Sequence, residues 1–142
     1  MKALGLDLGT TSLSAVVLET DSGVLAAKTV QNAAFLPGER WERTQNAEEI
    51  YAAALPLVQE LVCEHPEICA IGVTGQMHGI VYLDTDGRCL SPLYTWQDER
   101  AALPFNETES WAAHLSAVTG YPASWSRPPA RCFSSPARAF PF

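Results

Sequence analysis

The sequence contains no long run of apolar residues. Its strongly apolar stretches, such as Ala15 to Leu18, fall far short of the roughly 20 residues that a helix needs to cross a bilayer. Asp7 interrupts what would have to be the apolar core of a signal peptide. The four cysteines form no C-x-x-C pair and no His-spaced metal pattern. These absences predict a cytoplasmic protein with reduced thiols and no membrane partner.

Basic residues are also few, with nine Lys and Arg against 16 Asp and Glu and a formal net charge of −7. An acidic chain argues against nonspecific binding to nucleic acid. Its 142 residues, 47% of them hydrophobic, suit one globular domain or part of one, and no internal repeat is visible. Residues 122–142 hold five of the ten prolines and no Leu, Ile or Val, so this segment is predicted to be irregular.

The chain opens with three short apolar or alternating runs, separated by Gly9-Thr10-Thr11 and by Asp21-Ser22-Gly23. This punctuation is typical of strands joined by tight turns and predicts an antiparallel three-stranded meander. The predicted strands are Ala3 to Leu8, Leu13 to Leu18 and Val24 to Val30.

Helical periodicity follows the meander. Asn46 and Glu49 resemble a capping box, and the apolar spacing after them predicts a helix from Ala47 to Glu64. Pro56 lies inside it, so we expect a kink or a later start.

The second half of the chain predicts shorter elements. They are strands over Ala70 to Val73 and Ile80 to Leu83, a turn at Asp84 to Gly87, a strand toward Tyr94, and a helix capped by Asn106 and ended by Gly120.

The first candidate site is the segment Asp7-Leu8-Gly9-Thr10-Thr11-Ser12. Glycine lets the backbone approach a phosphate, while adjacent N–H groups and hydroxyls donate to its oxygens, and a nearby carboxylate can hold Mg²⁺. The segment lacks the Lys of a Walker A motif and joins two strands, so it is neither a P-loop nor a dinucleotide fingerprint. The alternative is an ordinary hairpin turn, although an unpaired carboxylate buried in an apolar strand would be costly.

The second candidate site is Gly75-Gln76-Met77-His78-Gly79, directly after a predicted buried strand. Ligands bind at the carboxyl ends of strands in open α/β folds, and Gln with His offers donors and acceptors to hydroxyl groups. The alternative is that Met77 and His78 merely fill the core.

The third candidate site is Thr95-Trp96-Gln97-Asp98-Glu99-Arg100. An indole packs against the C–H face of a sugar, while Asp and Arg form hydrogen bonds with its hydroxyls. The alternative is a solvated charged segment with one buried Trp. No Ser lies in a G-x-S-x-G elbow, which argues against acyl transfer.

Together and in this order, the three segments resemble the N-terminal domain of the FGGY family of carbohydrate kinases over roughly residues 1–121. The Gln-Met-His-Gly loop resembles that of xylulokinase-like members. The Thr95 to Arg100 segment, followed by Val118-Thr119-Gly120-Tyr121, is most similar to sedoheptulokinases, in which Gly usually replaces Glu99.

The resemblance implies an α/β fold of the ribonuclease H-like, actin/hexokinase type, with a mixed sheet that is incomplete here. It implies ATP and Mg²⁺ as cofactors and a ketose as substrate. By position, Asp7 would organise the metal. The residues implied to contact the ATP phosphates are Gly9, Thr10, Thr11 and Ser12. Those implied to bind the sugar are Gln76, Met77, His78, Trp96, Asp98 and Arg100.

The resemblance also implies what is missing. The family's catalytic Asp base and its adenine-binding C-terminal domain lie beyond the last matching residue, so we expect no catalytic residue and no activity from this chain alone; Asp98 is a weak substitute for the base. Residues 122–142 depart from the family pattern, and our hypothesis is a frameshifted or mis-spliced end, which the other reading frames of the coding DNA would test. The alternatives are a non-enzymatic actin- or chaperone-like nucleotide-binding protein and a small module with an unrelated ligand.

Overall fold

A computed structural model describes residues 1–123, which divide into two compact units. The first unit, residues 1–35 and 46–76, is built on the predicted meander: β1 (Lys2–Leu8), β2 (Ser12–Glu19) and β3 (Gly23–Gln31). Each pairs antiparallel with its neighbour, while β5 (Ile68–Gly75) runs parallel to β1, giving the order β3-β2-β1-β5. The predicted mixed sheet is therefore present.

One helix covers one face of this sheet. The helix α1 (Ala47–Glu64) has the predicted bounds, and the Asn46 side chain caps it by accepting hydrogen bonds from the Glu48 and Glu49 amides. It continues through Pro56, so the predicted later start is wrong. Its buried residues pack against the buried side chains of β1 and β2. The core residues of this unit are Leu4, Leu13, Ala15, Val17, Ile50, Ala54, Leu57 and Leu61.

The second unit comprises residues 36–45 and the chain from Met77 onward. A two-stranded sheet pairs β4 (Thr44–Gln45) with β6 (Leu93–Tyr94), and a 3₁₀ turn (Arg100–Ala102) precedes the helix α2 (Trp111–Thr119). Leu115 packs on Ala101, whereas Val118 is exposed. The left-handed Gly120 ends α2, as predicted.

Two predictions fail in the second unit. Ile80 to Leu83 is not a strand, because each end forms only an isolated bridge, Ile80 with Tyr94 and Leu83 with Cys89. Ser110, not Asn106, caps α2. The Asn106 side chain instead accepts hydrogen bonds from the amides of Thr108 and Glu109 and so closes a turn before the helix.

Among residues 1–123, no helix has both the length and the apolar character that a membrane span requires. The predicted irregular segment, residues 122–142, lies outside the described part of the chain except for its first two residues.

Candidate active site

The turn between β1 and β2 holds the predicted phosphate loop. A Cβ atom on Gly9 would lie only 2.7 Å from the backbone oxygen of Ser12, so no other residue fits here without moving the backbone. Thr11 and Ser12 follow in the turn and at the start of β2, and Thr11 is exposed. The turn is thus tight, glycine-dependent and accessible from outside, as a phosphate-binding loop must be.

Asn32 supports this turn and was not predicted as a site residue. It is 4% exposed, and its side-chain amide donates a 2.8 Å hydrogen bond to the Gly9 carbonyl oxygen. Its backbone N–H donates to the Thr11 carbonyl oxygen at 2.9 Å. The sequence did offer one signal, because a polar residue directly after β3 lies at the same end of a meander as the β1–β2 turn.

Asp7 lies near the end of β1, with its side chain on the sheet face opposite α1. It is exposed, so it does not carry the cost expected of a buried carboxylate. It lines an open cavity of about 480 Å³, together with Ser14 and Thr29, whose hydroxyls are 2.9 Å apart. Within residues 1–123 no cluster of three or more metal-binding side chains exists. An exposed carboxylate beside a phosphate loop nevertheless suits Mg²⁺, which keeps several waters and takes its other ligands from the phosphates.

Gln76 lies beside the same turn. It follows β5, whose parallel register with β1 pairs Leu8 with Gly75, and its backbone N–H donates to the Leu8 carbonyl oxygen at 3.0 Å. The Thr10 hydroxyl donates to the Gln76 side-chain oxygen at 3.1 Å. The first unit therefore joins the phosphate loop directly to Gln76 of the predicted sugar loop.

Met77 and His78 belong to the second unit. Met77 is 73% exposed and His78 is also exposed, so the interpretation that they fill the core is wrong. Two hydrogen bonds pair Ile80 with Tyr94, at 3.0 and 2.8 Å. This pairing places the part of the chain just after His78 beside the part just before Trp96.

In the third candidate segment, the charged side chains are buried and the Trp is exposed, which is the opposite of the alternative interpretation. Trp96 is 42% exposed, whereas Asp98 is 0% and Arg100 5% exposed. The segment is thus not a solvated charged run around a buried Trp, because its aromatic ring faces outward and its ion pair faces inward. Sugar contact by Asp98 and Arg100 stays a prediction.

The sequence pattern of the FGGY family of carbohydrate kinases, N-terminal domain, matches residues 2–124. The chain belongs to this family. Among curated relatives, this FGGY chain is 30% identical over 119 residues to the xylulose kinase of Escherichia coli K12, covering 82% of the chain. It is 31% identical over 111 residues, 77% of the chain, to the gluconokinase of Bacillus subtilis 168. Further relatives are named glycerol kinases.

Among solved structures, the FGGY chain resembles a crystal structure entitled a xyloylose kinase from Brucella ovis. The TM-score is 0.73 at 26% identity, over 89% of this chain and 27% of that one. The fold is accordingly that of the sugar kinases of the actin/hexokinase superfamily. The chain spans only 24% and 20% of the length of the xylulose kinase and the gluconokinase.

Proposed function

We propose that this chain supplies the first phosphate loop and part of the sugar site of an ATP-dependent carbohydrate kinase whose acceptor is a ketose of the sedoheptulose type. Membership of the FGGY family supports the reaction class. The names of the relatives, which include xylulose kinase and gluconokinase, support a polyhydroxylated acceptor. The sedoheptulose preference rests on the resemblance of the Thr95 to Arg100 segment.

The hydrogen bond from Thr10 to Gln76 is the observation that carries the proposal. Phosphoryl transfer depends on bringing the terminal phosphate and the acceptor hydroxyl into line and on neutralising charge. Thr10 and Gln76, one from each of the two loops predicted to bind these groups and both in the first unit, touch at the carboxyl ends of the adjacent parallel strands β1 and β5, where ligands bind in α/β folds.

Each group has a defined chemical task in this proposal. The Gly9 to Ser12 turn donates N–H and hydroxyl hydrogen bonds to phosphate oxygens. Asp7 would hold Mg²⁺, which neutralises phosphate charge when bound. Gln76 and His78 would bind sugar hydroxyls, and the exposed faces of Met77 and Trp96 would pack on the C–H face of the ring.

Amide NMR spectra of the ¹⁵N-labelled chain test the proposal. We expect Mg·ATP to shift the amides of residues 9–12, and sedoheptulose to shift those of residues 76–79 and the Trp96 indole. Xylulose, gluconate and glycerol serve as competing acceptors, and sedoheptulose should give the tightest response. Removing the hydroxyl in Thr10→Val should weaken the nucleotide response, because the hydrogen bond that holds the turn against Gln76 is lost and the phosphate-binding N–H groups are less well positioned.

Thr85→Val is the matched control, since Thr85 is an exposed hydroxyl residue in a turn outside the site. A nucleotide response with no response to any polyol would favour the non-enzymatic nucleotide-binding alternative. No response to either ligand would contradict the proposal.

A further inference from the structure

The Asp98 carboxylate has no acceptor position left for a ligand. Its Oδ1 accepts from the backbone N–H of Arg100 at 3.2 Å and from the Arg100 Nε–H at 2.6 Å. Its Oδ2 accepts from the Arg100 Nη2–H and from the backbone N–H of Arg43, both at 3.0 Å. A carboxylate has about four lone-pair positions, and all four are used in a site with 0% exposure. A sugar hydroxyl could bind Asp98 only by displacing one of these donors.

Arg100 is equally enclosed. Its guanidinium lies 4.2 Å from the centre of the Tyr94 ring and 5.6 Å from that of Trp41, and its side chain is 7% exposed. A carboxylate oxygen of Glu42 lies 4.0 Å from Nη2. The planar cation is therefore held by stacking and by a bidentate ion pair, which is the geometry in which Arg tolerates burial.

This ion pair connects two segments that are far apart in the chain. Besides the bond from the Arg43 amide, the Thr95 N–H and hydroxyl both donate to the Arg43 carbonyl oxygen, at 3.0 and 2.7 Å. The Glu99 N–H donates to the Trp41 carbonyl oxygen at 2.9 Å. Residues 95–99 are thus fixed at both ends to residues 41–43, with Trp96 between the fixed points and exposed.

We propose that Asp98 and Arg100 are positioning residues, which act on the sugar site by fixing the orientation of Trp96 and do not contact the sugar. This inference rests on the proposed function for its ligand. Breaking a buried ion pair by removing one partner leaves an uncompensated charge, so either loss should release the loop. Residues 41–43, to which the sequence analysis gave no role, become the support of the sugar site.

The test uses Asp98→Asn, Arg100→Met and the double variant, compared with Glu99→Gln, which removes an exposed charge in the same loop. Hydrogen exchange at the Arg43 and Glu99 amides reports the loop, and the indole N–H signal of Trp96, assigned with Trp96→Phe, reports the ring. Titration with sedoheptulose reports binding. In both single variants we expect exchange about 100-fold faster, a displaced indole signal and roughly tenfold weaker binding. Glu99→Gln should change none of the three.

The double variant separates positioning from contact. If the two residues act as a unit, the second substitution adds little to the first, because the loop is already released. If Asp98 contacts the sugar, Asp98→Asn weakens binding further in the Arg100→Met background, and the inference is overturned. It is also overturned if Asp98→Asn weakens binding while the Trp96 indole and the Arg43 amide stay unchanged.

The proposed function can fail separately. If the unmodified chain binds no polyol, that function fails, while the exchange rates and the indole signal still decide whether the ion pair positions Trp96. Unchanged β1–β3 amides in all variants would show that the first unit remains folded.

Discussion

At the scale of single residues, the backbone of His78 stands out. Its φ is 61°, and within residues 1–123 it is the one non-glycine residue with positive φ. For a residue with a Cβ atom, this left-handed conformation costs roughly 1–2 kcal/mol. This strained position lies within the predicted sugar loop, and backbone strain of this kind clusters at functional sites.

We expect His78→Gly to be more stable than His78→Ala by about 1 kcal/mol, because both lose the imidazole but only Ala keeps the strained Cβ. Both variants should lose the sugar response at residues 76–79. Chemical denaturation measures the difference in the free energy of unfolding. An Ala variant as stable as the Gly variant would show that the conformation carries no strain.

At the scale of elements, the two edges of the four-stranded sheet differ in charge. On β3, Lys28 forms ion pairs with Glu60 and Glu64 of α1 at 2.6 and 2.9 Å, and hydrogen bonds to these carboxylates raise the pKa of Lys28. The strand β5, at the other edge, contains no charged residue and no proline. Its Ile71 and Val73 side chains are 54% and 65% exposed. Among residues 1–123, no strand pairs with the outer edge of β5, and such an apolar edge is a surface for strand pairing between molecules.

We therefore expect the chain to self-associate at concentrations of about 100 μM, within the range in which unpaired strand edges associate. We expect Val73→Lys to reduce that association, because a charge on an edge strand opposes pairing. Sedimentation velocity measures the effect. Val118→Lys is the matched control, since it introduces the same charge at a 70% exposed Val on a helix. Equal effects of the two substitutions would mean that net charge, and not the β5 edge, controls association.

At the scale of the whole molecule, the chain spans 24% of the length of the xylulose kinase and 20% of that of the gluconokinase that it matches. Phosphoryl transfer needs a second wall around ATP that excludes water, and a carboxylate that accepts the hydroxyl proton. Asp98 is the carboxylate of the third candidate segment that was considered as a substitute for the catalytic base. It is buried and fully hydrogen-bonded.

Because the Asp98 carboxylate is buried and fully hydrogen-bonded, it is not available as a base, and we expect the chain to bind polyols and Mg·ATP without transferring phosphate between them. Phosphorus NMR of ATP with sedoheptulose, xylulose, gluconate or glycerol should show no sugar phosphate above the rate without protein. The control is Asp7→Asn. Sugar phosphate that forms with the unmodified chain and is abolished by Asp7→Asn would contradict this expectation and would place a working catalytic site within the chain.

Local patterns predicted the elements of the first unit well. The bounds of α1 were correct because the Asn46 cap, the apolar spacing and His65-Pro66 all act over a few residues. The meander was correct because its turns carry their own sequence signals. The strand over Ile80 to Leu83 was wrong because its two ends form single bridges to different residues, Tyr94 and Cys89, and an apolar run does not show how much of it will pair.

The sequence by itself determined the family, the meander, α1 and the three segments that could carry chemistry, because each is encoded by neighbouring residues. The tertiary structure decided which side chains are available to a ligand. Asp98 is satisfied by an amide 55 residues earlier in the chain, and Thr10 meets Gln76 across 66 residues. Such contacts depend on how distant segments pack, so the local spacing of residues cannot predict them. Residue type alone therefore predicted sugar contact at Asp98 and Arg100, whereas packing turns both inward and leaves Trp96 outside.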